Sequence, residues 1–139
     1  MILLKNVLIV VDGVTMAEED LQIIVEELAK SRKAQVVKGS MGGFWGLIDD
    51  NLICLYPLVT TSERRRHQIS QLILGMKKYY EVTRSEYKGI LETLSRNKID
   101  TLVVFGDNKA MCLARKVCEY LNCNAYKYQL LMVYQTGND

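Results

Sequence analysis

The chain has 139 residues, of which 49% are hydrophobic and 24% charged, with a formal net charge of +2. That length suits one domain, 1–139, with a core of its own, and the balance is too close to neutral to suggest a nucleic-acid or polyanion partner. No apolar run approaches the ~20 residues of a membrane span, and Met1-Ile-Leu-Leu-Lys-Asn-Val-Leu8 lacks the basic start and cleavage pattern of a signal peptide, so a cytoplasmic protein without membrane contact is expected.

Lys5-Asn-Val-Leu-Ile-Val-Val11 predicts a buried strand that ends at Asp12-Gly13. Thr15-x-x-Glu18 has the spacing of a capping box, and Leu21, Ile24, Val25 and Leu28 mark one face of a helix reaching about Arg32. A short strand is expected over Ala34–Lys38, then a loop bearing Gly39, Gly42, Gly43 and Gly46. Asn51-Leu-Ile-Cys-Leu-Tyr56 is apolar again and stops at Pro57, the only proline. A polar-to-apolar segment runs from Thr61 to Met76 and opens with Arg64-Arg-Arg-His67. Consecutive positions do not share a helix face, so this run reads as a solvated helix start in preference to an effector-phosphate clamp. Thr83-Arg-Ser-Glu86 is a second capping box, heading a helix that buries Tyr87, Ile90, Leu91 and Leu94.

Ile99 to Ala110 organises the rest. Leu102–Phe105 is too brief for a helix and rich in β-branched residues, as a strand covered on both faces would be. Gly106 breaks it, Asp107-Asn108 serve as turn or cap, and Ala110, Leu113, Ala114, Val117, Cys118 and Leu121 then recur at helical spacing. Strand, glycine turn and helix aim backbone N–H groups at an anion beyond the strand's carboxyl end. A last strand is expected from Ala125 to Val133. Alternation of strand and helix predicts a three-layer α/β/α sandwich with a mostly parallel sheet and right-handed crossovers.

Four cysteines, Cys54, Cys112, Cys118 and Cys123, include no Cys-x-x-Cys pair, and His67 is the only histidine, so zinc has no ligand set. They read as small core residues kept reduced, with Cys123, past the expected helix end, the one candidate reactive thiol. The tyrosines Tyr120, Tyr126, Tyr128 and Tyr134 read as core and rim packing in preference to a base-stacking platform.

Gly43-Phe-Trp-Gly-Leu-Ile-Asp-Asp-Asn-Leu-Ile-Cys-Leu55 resembles a segment of ATP-dependent 6-phosphofructokinases that lies between their second and third strands. Lys5–Gly13 is similar to the first strand of that family, Ile99–Asn108 to the strand leading into its Gly-Gly-Asp-Gly-Ser motif, and Thr136-Gly-Asn-Asp139 to a shortened Thr-Ile-Asp-Asn-Asp. The likeness spans the whole chain but only about 40% of the family's length, the size of its nucleotide-binding N-terminal lobe.

The resemblance implies altered chemistry at each motif. Gly13 is kept in the first loop, but Val14 stands where a second glycine belongs, and Glu18, Glu19 and Asp20 fill the following helical turn. Those carboxylates complement the helix dipole by ~0.3–1 kcal/mol each, yet they repel a triphosphate at the same place. The family's magnesium-binding aspartate falls on Asn108 without a gap and on Asp107 with a one-residue slip, and Lys109 replaces a residue that cradles phosphate. Asn108 is a poor ligand for a hard cation; Lys109 reads either as an anion contact or as a solvated turn lysine. The phosphoryl-clamping arginine becomes Lys77, which loses the bidentate fork, and the catalytic base falls on Gly137 or Asn138. Phe44 and Trp45 lie where the family has a ring near its site, or else close over the sheet edge.

The nucleotide-binding positions so implied are Gly13, Thr15, Phe44, Lys77, Gly106, Asp107, Asn108 and Lys109, with ATP or ADP and magnesium as cofactors, and with no catalytic residue and no metal site of the chain's own. Three readings of function follow: a glycolysis-related pseudoenzyme that binds a nucleotide or other anion as a regulatory module, a 6-phosphofructokinase-type subunit whose site another chain completes, and an interaction module without a ligand. A sugar phosphate is the second small ligand implied. The near-continuous apolar last strand implies cover on both faces, hence a homodimer or a second phosphofructokinase-like chain as partner.

Overall fold

The computed structural model describes residues 5–31, 33–57 and 81–135. Strand β1 (Lys5–Asp12) occupies the centre of a five-stranded sheet and is buried from Val7 to Asp12. β2 (Ala34–Ser40) and β4 (Thr101–Gly106) flank it, both parallel. β3 (Leu52–Tyr56) joins the β2 edge antiparallel and β5 (Gln129–Tyr134) joins the β4 edge parallel, so the order is β3-β2-β1-β4-β5.

Side chains of β1 alternate between two cores, as strand geometry requires. Val7, Ile9 and Val11 pack with Leu21, Val25 and Leu28 of α1 (Glu18–Ser31). Leu8 and Val10 face the other way. They meet Phe44 and Leu47 of α2 (Phe44–Asp49), Ile90 and Leu94 of α3 (Arg84–Arg96), and Ala110, Ala114, Val117 and Leu121 of α4 (Asn108–Cys123). The expected three layers are present. Each fully buried Val, Leu or Ile contributes about 1.5–3 kcal/mol, so the two faces of β1 outweigh any single cap or surface ion pair.

α1 carries the chain from β1 to β2 on one side, and α4 carries it from β4 to β5 on the other. Right-handed crossovers in opposite directions put these helices on opposite faces and open a crevice between the carboxyl ends of β1 and β4. No helix among the described residues is long and apolar enough to cross a membrane.

The local differences from expectation have physical causes. Thr83 caps α3 as the spacing predicts, with Glu86 completing the box. α1 begins at Glu18, and the Leu21 N–H donates to the Ala17 C=O at 3.0 Å, which puts Ala17 at the N-cap position, two residues after Thr15. Val14 and Met16 are buried on either side of exposed Thr15. The glycine-bearing stretch read as a loop contains α2, because Phe44 and Leu47 sit one turn apart and both are buried. β3 returns antiparallel because the short connection after β2 cannot make a crossover to the far end of the sheet. β5 is less covered than its apolar pattern implied: Leu130 and Leu131 are half-buried, but Met132, Val133 and Tyr134 are exposed at the sheet's edge. The segment Thr61–Met76, with Arg64–His67 and Lys77, and the terminal Thr136–Asp139 lie outside the described residues.

Tyr126 ties α3 to the start of β4. Its hydroxyl lies 2.5 Å from the Ile99 C=O and 3.0 Å from that of Leu94, and it shares one proton between them. Burial, with Asp100 adding, pushes this phenol above its usual range. A raised folded-state value means the stabilisation is complete below the unfolded value of about 10 and is lost as pH rises through the folded one. Tyr126→Phe should cost about 1–3 kcal/mol near neutral pH by stranding a carbonyl. Urea unfolding above pH ~10 should show the native chain losing stability more steeply than this variant.

Candidate functional site

The loops after β1 and β4 meet as the strand–glycine–helix pattern predicts, but carboxylates fill the junction. Gly13 has φ +75°, and a Cβ there would lie 2.6 Å from the Asp107 carboxylate. Gly43 has φ +68°, and a Cβ there would run into the carboxylate of Asp12. Asp12 ends β1, is 1% exposed, and accepts the Phe44 N–H at 3.0 Å. Asp107 caps α4 by accepting the Ala110 N–H at 3.0 Å. One of the helix's end donors is therefore already satisfied by the chain itself.

The nucleotide-binding positions inferred from sequence divide accordingly. Gly13, Gly106 and Asp107 come together at the switch point, and Asn108 and Lys109 stand exposed in the first turn of α4. Thr15 is exposed in the segment leading to α1. Phe44 brings a backbone N–H to Asp12, while its ring is 3% exposed and packs in the core beneath α2. Val14, the replacement for a family glycine, is likewise a core residue. Lys77 is outside the described residues. Asp12 was read only as a strand end; its sole sequence signal was an aspartate preceding Gly13 at the close of an apolar run.

An open cavity of about 750 Å³ begins at Asn108 and Lys109 and follows the outer face of α4. Cys112, Lys116, Tyr120 and Cys123 line it at helical spacing, opposite Glu81, Val82 and Tyr87. The Tyr87 and Tyr120 rings stack at 5.6 Å between centroids. Burial pushes the Tyr87 phenol up, and the nearby carboxylates Glu119 and Glu81 add to the shift. The cavity thus combines two lysines, two carboxylates and an aromatic wall. Its volume lies within the ~300–1,000 Å³ typical of small-ligand sites.

Cys112 and Cys123 are exposed, which corrects the reading of all four cysteines as core residues. The buried stripe of α4 runs through Ala110, Met111, Ala114, Val117 and Leu121, and both thiols fall off it. Cys123 also belongs to the helix, as its last residue.

No group of three or more His, Cys, Asp or Glu side chains able to hold a metal gathers among the described residues. A magnesium ion carried by a nucleotide needs only one or two protein carboxylates, and Asp107, one residue before the cavity begins, is of the right chemistry.

Neither a family model nor a curated protein matches this chain. Solved structures do. A pyrophosphate-dependent phosphofructokinase from Marinobacter aquaeolei superposes with a TM-score of 0.66 at 18% identity, over 93% of this chain and 33% of that one. Pichia pastoris phosphofructokinase in the T-state gives 0.65 at 18% identity, over 99% and 16%. The Saccharomyces cerevisiae phosphofructokinase gives 0.60 at 18% identity, over 96% and 20%. The chain therefore has the fold of a lobe-sized part of phosphofructokinases, as its motifs implied, and spans a third or less of these proteins' length.

Gly13→Ala should destabilise the fold by about 1–3 kcal/mol through its left-handed backbone and through the new methyl's contact with Asp107. Asp107→Ala alone should cost about 1 kcal/mol as a lost cap. The double variant should lose less than the sum, because the truncated side chain makes room for the methyl. Urea denaturation of the four proteins measures that coupling.

Proposed function

We propose that the chain is a phosphofructokinase-like pseudoenzyme, a regulatory module that binds a nucleotide or polyphosphate and transfers no phosphoryl group by itself. The observation that carries this reading is the cavity opening at Asn108–Lys109, one step from the crevice between β1 and β4. Lys109 and Lys116 suit phosphate oxygens, and the Tyr87–Tyr120 pair offers an aromatic face to a base. Asp107 would hold a magnesium ion that screens the phosphate charge. In the resembling family a carboxylate accepts the hydroxyl proton; here Gly137 or Asn138 takes its place, and neither can.

A thermal-shift series with ATP, ADP and pyrophosphate, with and without magnesium, tests the reading. A ligand that binds only the folded chain raises the midpoint. Lys109→Glu should weaken binding about tenfold, equivalent to ~1.4 kcal/mol, whereas Arg65→Glu should leave it nearly unchanged. The reverse ranking would move the site to the arginine run, and no shift with any ligand would remove it. Magnesium-dependent transfer to fructose 6-phosphate in a single-turnover assay would instead favour a catalytic subunit.

The exposed apolar end of β5 supports association through that edge. Met132, Val133 and Tyr134 form a patch with no charged residue among them, and proteins seldom leave such an edge open. Light scattering at micromolar concentration should give twice the 15.9 kDa chain mass, and Val133→Lys should return it to the monomer value.

A further inference from the structure

We propose that the cavity along α4 selects a guanine nucleotide over an adenine one, with the Glu81 and Glu119 carboxylates reading the donor edge of the base. The inference rests on the nucleotide-binding reading above and adds the identity of the base. Charge divides the cavity along its length. Lys109 and Lys116 precede Glu119 and Tyr120 on the helix wall, and Glu81 and Tyr87 stand on the opposite wall. At a rise of about 1.5 Å per residue, Lys116 lies about 6 Å and Lys109 about 17 Å from Tyr120 along the axis. A ligand laid along this wall meets cations first, then carboxylates beside aromatic rings.

Two observations converge at the aromatic end. The Tyr87 and Tyr120 rings stack with centroids 5.6 Å apart and planes 26° from parallel, giving a surface on which a planar base can lie. The field there is negative. Burial first, and then Glu119 and Glu81, push the Tyr87 phenol up, so both carboxylates act on the same ring. Among the described residues, no hydrogen bond or ion pair occupies either carboxylate. Their oxygens are available to accept from a ligand held against the rings.

The chemistry of the bases then discriminates. An ionised carboxylate only accepts, through two oxygens side by side. Guanine presents two adjacent donors, N1–H and the exocyclic N2 amino group, and makes a bidentate, charge-assisted pair. Adenine and cytosine each present one amino donor beside a ring-nitrogen lone pair, which the second carboxylate oxygen repels. Uracil presents a single N–H between two carbonyls. Lys109 and Lys116 suit the phosphates, so a guanine nucleotide satisfies both stretches of the cavity at once. An adenine nucleotide satisfies only the lysine stretch.

The test is calorimetric titration of the full chain with the diphosphates of guanosine, adenosine and inosine, each with magnesium. The guanosine ligand should bind at least about tenfold tighter than the adenosine one. Inosine diphosphate keeps N1–H but lacks the amino group, and should fall between them. Glu119→Gln puts a donor amide where an acceptor oxygen stood, which suits the amino and lone-pair edge of adenine. It should cut the guanosine-to-adenosine affinity ratio at least about fivefold, and Glu81→Gln should act in the same direction. Lys109→Glu should weaken both ligands and leave the ratio unchanged. Glu81, Lys109 and Glu119 are all exposed, so the unliganded variants should melt as the native chain does. Equal affinity for the guanosine and adenosine ligands, or a ratio indifferent to both glutamate variants, would overturn the guanine assignment and leave the nucleotide reading standing. Binding of none of the three would overturn both.

Discussion

The two-sided burial of β1 is the constraint on which the rest depends. A strand with apolar residues at every position from Val7 to Val11 cannot face water on either side. It requires partners on both edges and helices on both faces. β2 and β4 satisfy the edges, and α1 and the α2–α3–α4 layer satisfy the faces. Once the strands run parallel, crossover handedness sends α1 and α4 to opposite sides, and the crevice between β1 and β4 follows. The crevice is thus a by-product of how the central strand is covered.

What occupies that crevice is particular to this chain. Such an arrangement ordinarily offers backbone donors to an anion. Here Asp12 and Asp107 press against Gly43 and Gly13, and the Ala110 N–H is already bonded to Asp107. The junction therefore presents carboxyl groups where such a crevice ordinarily presents donors. The same residues serve stability: Asp107 caps α4, Val14 joins the core, and the acidic first turn of α1 complements its dipole. The residues that crowd this crevice also stabilise the local structure.

Aromatic hydroxyls seal the opposite end of the sheet. Tyr126 bonds to backbone carbonyls where α3 gives way to β4, and Tyr128 bonds to the Cys118 carbonyl of α4 and to Asn122. These contacts anchor the approach to β5, whose far end remains apolar and exposed. Tyr126 and Tyr128 are packing residues, as the pattern suggested, whereas Tyr120 stacks with Tyr87 in the wall of the cavity and Tyr134 stands exposed at the sheet's edge.

Much of this was legible without coordinates, because period and turn chemistry are local. The apolar run before Asp12-Gly13, the run before Gly106, the Thr83 capping box and the helical spacing from Ala110 to Leu121 each specify an element through interactions within a few residues. Their alternation was enough to imply the three layers, and the turn glycines were enough to place the crevice. Long-range packing decided the remainder. Val14 and Met16 are seated in the core and α1 starts beyond Thr15, and burying Phe44 and Leu47 made a helix of a glycine-bearing loop. The two exposed thiols, the Tyr87–Tyr120 wall and the carboxylates against Gly13 and Gly43 depend on residues dozens of positions apart. No spacing rule encodes such meetings, since they exist only once the strands have chosen their neighbours.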